Sequence, residues 1–82
     1  MADCEQLLEK AKSGTSLRYS ELVKLAECNG WTFRRNGSGS HRIFKNPNAK
    51  HYHTLSFVDR RGDVAHYHIS TLLAAIELLE QK

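Results

Sequence analysis

The chain has 82 residues, 40% of them hydrophobic and 26% charged, with a formal net charge of +3. Those values describe one small domain with a thin core and exclude a disordered chain. The longest apolar run, Leu72-Leu73-Ala74-Ala75-Ile76, falls far short of the roughly 20 residues that cross a bilayer. Met1-Ala2 leads straight into Asp3 and Glu5, so no basic-then-apolar secretory leader is read.

Elements follow from periodicity in chain order. Cys4, Leu7, Leu8 and Ala11 recur at helical spacing, with acids at the N-terminal end and Lys10 and Lys12 at the other, until Ser13-Gly14-Thr15-Ser16 breaks the pattern. This helix is too short to stand alone, so residues 1–15 form an extension that packs on the domain or on a second copy of the chain. A second helix is expected from Tyr19 to Asn29, turning Leu22, Val23, Leu25 and Ala26 inward, with Gly30 as its C-terminal cap. Trp31 to Arg35 alternates as a half-buried strand, Asn36-Gly37-Ser38-Gly39 is turn chemistry, and Ser40 to Lys45 resumes as a second strand. Asn46-Pro47-Asn48 ends it, and His51 to Val58 reads as a third strand with Leu55 and Phe57 on one face. A last helix starts near Tyr67 or His68 and runs to the end. It buries Ile69, Leu72, Leu73, Ile76 and Leu79, while Ser70, Thr71, Glu77 and Gln81 face away.

The fold class is therefore α+β in the order α-α-β-β-β-α, with three antiparallel strands covered on one face by helices. Residues 16–82 form the main domain. Trp31, Phe33 and Phe57 belong to its core by alternation, although exposed aromatics in such strands would serve as base-stacking platforms. Cys4 and Cys28 make neither a disulfide framework nor a zinc site and read as buried helix thiols, which points to a reducing, cytoplasmic location.

Charge is unevenly spread. Residues 31–61 hold Arg34, Arg35, Arg42, Lys45, Lys50, Arg60 and Arg61 against Asp59 alone, while the segments on either side are net acidic. A concentrated basic surface favours a polyanion, most simply nucleic acid. His41 follows Gly39-Ser40 inside this region. Glycines let backbone approach a phosphate, and a histidine there titrates near neutrality and can move protons during phosphodiester cleavage. His41 is the candidate for proton transfer. Arg35, Arg42 and Lys45, with backbone N–H groups at Gly39 and Ser40, are the candidates for RNA phosphate binding. Alternation places Arg42 on the opposite face from His41 and Lys45.

Tyr19-Ser20-Glu21-Leu22, Gly30-Trp31 and Gly39-Ser40-His41-Arg42-Ile43-Phe44-Lys45-Asn46-Pro47 together resemble the HicA toxin family of mRNA interferases over roughly residues 16–80. The resemblance implies a double-stranded-RNA-binding-domain-like α-β-β-β-α fold and a metal-independent, cofactor-free endoribonuclease with His41 as its catalytic histidine. It also implies messenger RNA as target and a HicB-type antitoxin as partner. The chain departs from the family in its extra first helix, in a longer turn at 36–39, and in reading Leu55-Ser56-Phe57-Val58 where many members carry Pro-x-His. A non-catalytic RNA- or partner-binding module with the same fold is the alternative. His51-Tyr52-His53 and His66-Tyr67-His68 remain; a shared strand face would let His51 and His53 ligate a metal, but no third ligand is spaced to help, and no metal site is assigned.

Overall fold

In a computed structural model, which describes residues 3–37 and 39–80, six elements follow one another: α1 (Cys4–Lys12), α2 (Tyr19–Cys28), β1 (Thr32–Asn36), β2 (His41–Lys45), β3 (Thr54–Val58) and α3 (His66–Glu80). This is the α-β-β-β-α order preceded by an additional helix.

Asp3 starts α1 with a reciprocal cap: its carboxylate accepts from the Gln6 amide at 2.9 Å, and the Gln6 side chain accepts from the Asp3 amide at 3.2 Å. Leu7 and Ala11, one turn apart, are buried, so the first helix docks on its own domain. Glu21 opens α2 by accepting from the Arg18 amide at 3.0 Å, and the same carboxylate receives Lys10 Nζ at 3.0 and 3.2 Å. Those bonds hold the Glu21 carboxyl below its ordinary range, the Arg18 amide contributing most and Lys10 next.

The end of α2 turns back toward the start of α1. Cys28 is disulfide-bonded to Cys4, their Cα atoms 6.2 Å apart. Both residues are exposed, which corrects the expectation of two buried, separate thiols. Periodicity assigns each cysteine to a helix; it does not show that antiparallel packing sets the start of one helix beside the end of the other.

Gly30 leaves α2 at φ 101°, and a Cβ there would sit 2.8 Å from the Asn46 side-chain nitrogen. Both the left-handed backbone and the close approach require glycine. Asn46 is itself buried and fully used: Nδ2 donates to the Asn29 carbonyl at 3.0 Å, Oδ1 accepts from the Asn48 amide at 2.9 Å, and its own amide donates to the His53 carbonyl at 2.9 Å. It fastens the end of the second helix to the connection between β2 and β3. Trp31 beside it is wholly buried, its indole N–H donating to the Tyr52 carbonyl at 2.9 Å.

The sheet is antiparallel in the order β1-β2-β3. Phe44 lies opposite Leu55, and Arg42 opposite Phe57. Phe44, Leu55 and Phe57 are buried, whereas Ile43 and Ser56 between them are only partly so, so the helices cover one face and leave the other open. Leu22, Leu25 and Ala26 of α2 and Ile69, Leu72, Ala75 and Ile76 of α3 complete the core with Leu7, Ala11 and Leu17. Losing a ring such as Phe57 from it would cost about 3–5 kcal/mol, a large part of a small domain's stability.

Three expectations shift. Phe33 is 48% exposed rather than core. It faces the helix side opposite Phe44, but β1 is an edge strand and the helices do not reach over it. The third strand begins at Thr54, not His51, because Tyr52 takes φ 55° and Asn46 captures the His53 carbonyl, so His51 and His53 belong to a loop and share no strand face. The last helix begins at His66. Ser38 of the expected turn and Gln81 of the last helix lie outside the described residues.

Candidate functional site

The hairpin joining β1 to β2 holds the candidates Gly39, Ser40 and His41. β1 is exposed along its whole length and is interrupted by a bulge: Phe33 pairs with Phe44, but the next pair is Arg35 with Ile43, leaving Arg34 as the extra residue. Asn36 then pairs with Arg42. The Gly37 amide donates to the His41 carbonyl at 2.8 Å, which closes the loop, and Gly39 takes the left-handed φ of 60°. Gly39, Ser40 and His41 are all exposed. His41 is the first residue of β2, so the loop delivers its imidazole at the end of a paired strand rather than on a free loop.

Register sorts the sequence candidates into two groups. His41, Ile43 and Lys45 lie opposite Val58, Ser56 and Thr54, and Arg35 lies opposite Ile43; all share the open face of the sheet. Arg42, opposite Phe57, lies on the helix side. His41, Arg35 and Lys45 are thus brought to one face, with Gly39 and Ser40 at its end, and Arg42 is not. The guanidinium of Arg42 is pinned by a 2.8 Å bond from Nη1 to Asn36 Oδ1. It borders a groove of about 410 Å³ whose other walls are Tyr19, Ser20 and Val23 from α2 and Phe33 and Phe44 from the sheet. Burial pushes the Tyr19 phenol up, against an opposing effect of Arg42 and with a smaller push from Asp59, so its hydroxyl remains a donor at neutral pH.

Sequence reasoning missed His68. It is 6% exposed, edge-on to Phe57 with ring centroids 5.7 Å apart and 4.2 Å from the ring of Tyr67. Its Nε2 is buried without a hydrogen-bond partner among the described residues. Burial lowers its pKa, and the charges of Arg60 and His41 lower it further. The signal was available: His68 is one helical turn before Leu72 and two before Ile76, on the buried stripe.

No group of three or more His, Cys, Asp or Glu side chains suited to a metal occurs among the described residues, and none of their helices is long and apolar enough to cross a membrane. Residues 19–78 match the family described as HicA toxin of bacterial toxin-antitoxin systems. That span takes in α2, the whole sheet and nearly all of α3, and leaves α1 outside. No curated protein and no solved structure matches the chain.

Proposed function

The chain belongs to the HicA toxin family, and from that premise we propose that it is a metal-independent endoribonuclease that cuts messenger RNA. A HicB-type antitoxin that covers the hairpin would hold it in check. The observation that carries this reading is the placement of His41: an exposed imidazole at the start of β2, two residues after the left-handed Gly39, on a sheet face that also holds Arg35 and Lys45.

RNA carries its own nucleophile in the 2′-OH, so a small protein need not activate water. His41 takes the 2′-OH proton as the oxygen attacks the adjacent phosphorus. The bond from phosphorus to the 5′-oxygen breaks, that oxygen takes a proton from solvent water, and a 2′,3′-cyclic phosphate remains on the other fragment. Negative charge grows on the non-bridging oxygens during attack. Arg35 and Lys45, with the N–H groups of Gly39 and Ser40, are the groups on this face able to offset it. Arg42 serves RNA from the helix side instead.

The deciding experiment compares purified protein with its His41→Ala variant on RNA and on the same strand with a 2′-deoxy nucleotide at the scissile position. Wild type should cut only the all-ribose strand, with or without chelator, and leave a cyclic or 3′-phosphate and a 5′-hydroxyl. Cleavage that survives loss of His41, or that stops with chelator, refutes the mechanism. A folded wild type that binds RNA without cutting it makes the chain a non-catalytic binding module.

A further inference from the structure

The groove beside Arg42 lies outside the proposed chemistry and has its own composition. Phe33 stands 48% exposed on its rim, held at 72° to Phe44 with ring centroids 5.7 Å apart. This edge-on contact fixes the ring while nearly half of it remains open to solvent. Tyr19 and Val23 form the opposite wall, and the Arg42 guanidinium, anchored on Asn36, closes the end nearest His41. No carboxylate lines the groove among the described residues. The acid that acts electrostatically on Tyr19, Asp59, accepts the Gly62 amide at 2.7 Å. An aromatic face next to a fixed cation, within the most basic third of the chain, suits a flat, electron-rich ring attached to a phosphate.

We propose that this groove is a subsite for one unpaired nucleobase of the RNA strand, the base lying on Phe33 and its phosphate meeting Arg42. The proposal rests on the ribonuclease reading and adds the place where the strand is gripped beside the cut. Phe33 pairs with Phe44, three residues along β2 from His41, or about 10 Å at strand spacing. The groove and His41 lie on different faces, so the strand must pass around the edge of the sheet. The bulge puts Arg34 and Arg35 on that edge, exposed and spaced to meet the phosphates in between.

Binding is measured in the full chain carrying His41→Ala, so that the RNA stays intact, with single-stranded oligonucleotides in which one abasic residue is moved stepwise along the strand. Adding Phe33→Leu keeps an apolar contact with Phe44 but removes the stacking face, and an unchanged melting temperature shows that the fold is kept. Phe33→Leu should weaken RNA binding about 5- to 150-fold, the range for one stacked base. An abasic residue at one position should cost the His41→Ala protein a similar factor, and should cost the Phe33→Leu double variant almost nothing there, as expected for two partners of one contact. Equal RNA affinity with and without Phe33→Leu, or an abasic penalty that is the same in both proteins, overturns the proposal and leaves the ribonuclease reading standing. Loss of antitoxin binding with RNA affinity unchanged also overturns it, making the groove a protein-docking surface. RNA that fails to bind the folded His41→Ala protein at all brings down both readings.

Discussion

The corner between α1 and α2 and the hairpin between β1 and β2 are built on opposite plans. At the corner, a disulfide joins one pair of helix ends, a Lys10–Glu21 ion pair joins the other, and Leu7 and Ala11 are buried between them. The hairpin has an edge strand exposed at every residue, a bulge in place of regular pairing, and a loop closed by a hydrogen bond from the Gly37 amide to the His41 carbonyl. The corner lies partly outside the family match; the hairpin lies wholly inside it. Cross-links are concentrated where no chemistry is proposed, and the proposed chemistry sits where side chains reach solvent.

The sharpest contrast is between activity and stability. His41→Ala should lower cleavage by about 10²–10⁴-fold, the contribution of one proton-transfer group, while leaving the melting temperature within a degree or two of wild type because the imidazole is exposed. A variant that loses both would mean that the hairpin supports the fold. The corner should behave in the reverse sense. Replacing Cys4 and Cys28 by Ser opens a link spanning 24 residues and should cost about 3–4 kcal/mol, seen as a large fall in melting temperature, with the rate of cleavage by folded protein unchanged.

Smaller effects are expected where the two regions meet. Asn46→Ala strips partners from the Asn29 carbonyl and the Asn48 amide and should cost about 1–3 kcal/mol in denaturant unfolding. The smallest effect is a pH dependence at His68. Its folded-state pKa is depressed below the ordinary 6.5, so the unfolded chain binds the proton more readily. Stability from this residue is therefore complete above about pH 6.5 and is lost as pH falls from there toward the folded-state pKa. Melting curves across that window should slope downward toward acid in the wild type and less so in His68→Phe. Equal slopes would assign the acid sensitivity to other groups.

Much of this was legible in the residues. Leu22, Leu25, Leu72 and Ile76 declared their helices by spacing, and strand alternation gave the split that sets Lys45 and His41 on one face and Arg42 on the other. Phe33 shows the limit of the method: alternation identifies the face a side chain takes, and the structure shows whether anything lies above it. Tyr52 shows another, since a left-handed residue can end a run that looks like a strand. Cys4 and Cys28 show a third, because pairing depends on how helices cross. His68 is readable from its helical phase with Leu72 and Ile76, whereas residue type alone does not settle it, because histidine is intermediate in burial.

The Arg34 bulge has a consequence for how the chain survives in a crowded solution. β1 ends the sheet and presents an unprotected row of backbone donors and acceptors, to which another chain's strand could add itself. The extra residue breaks the regular spacing such an addition needs, and the charges of Arg34 and Arg35 repel an identical edge. The same kink that aims arginines outward thus keeps copies of the protein from zipping into aggregates before a partner reaches them.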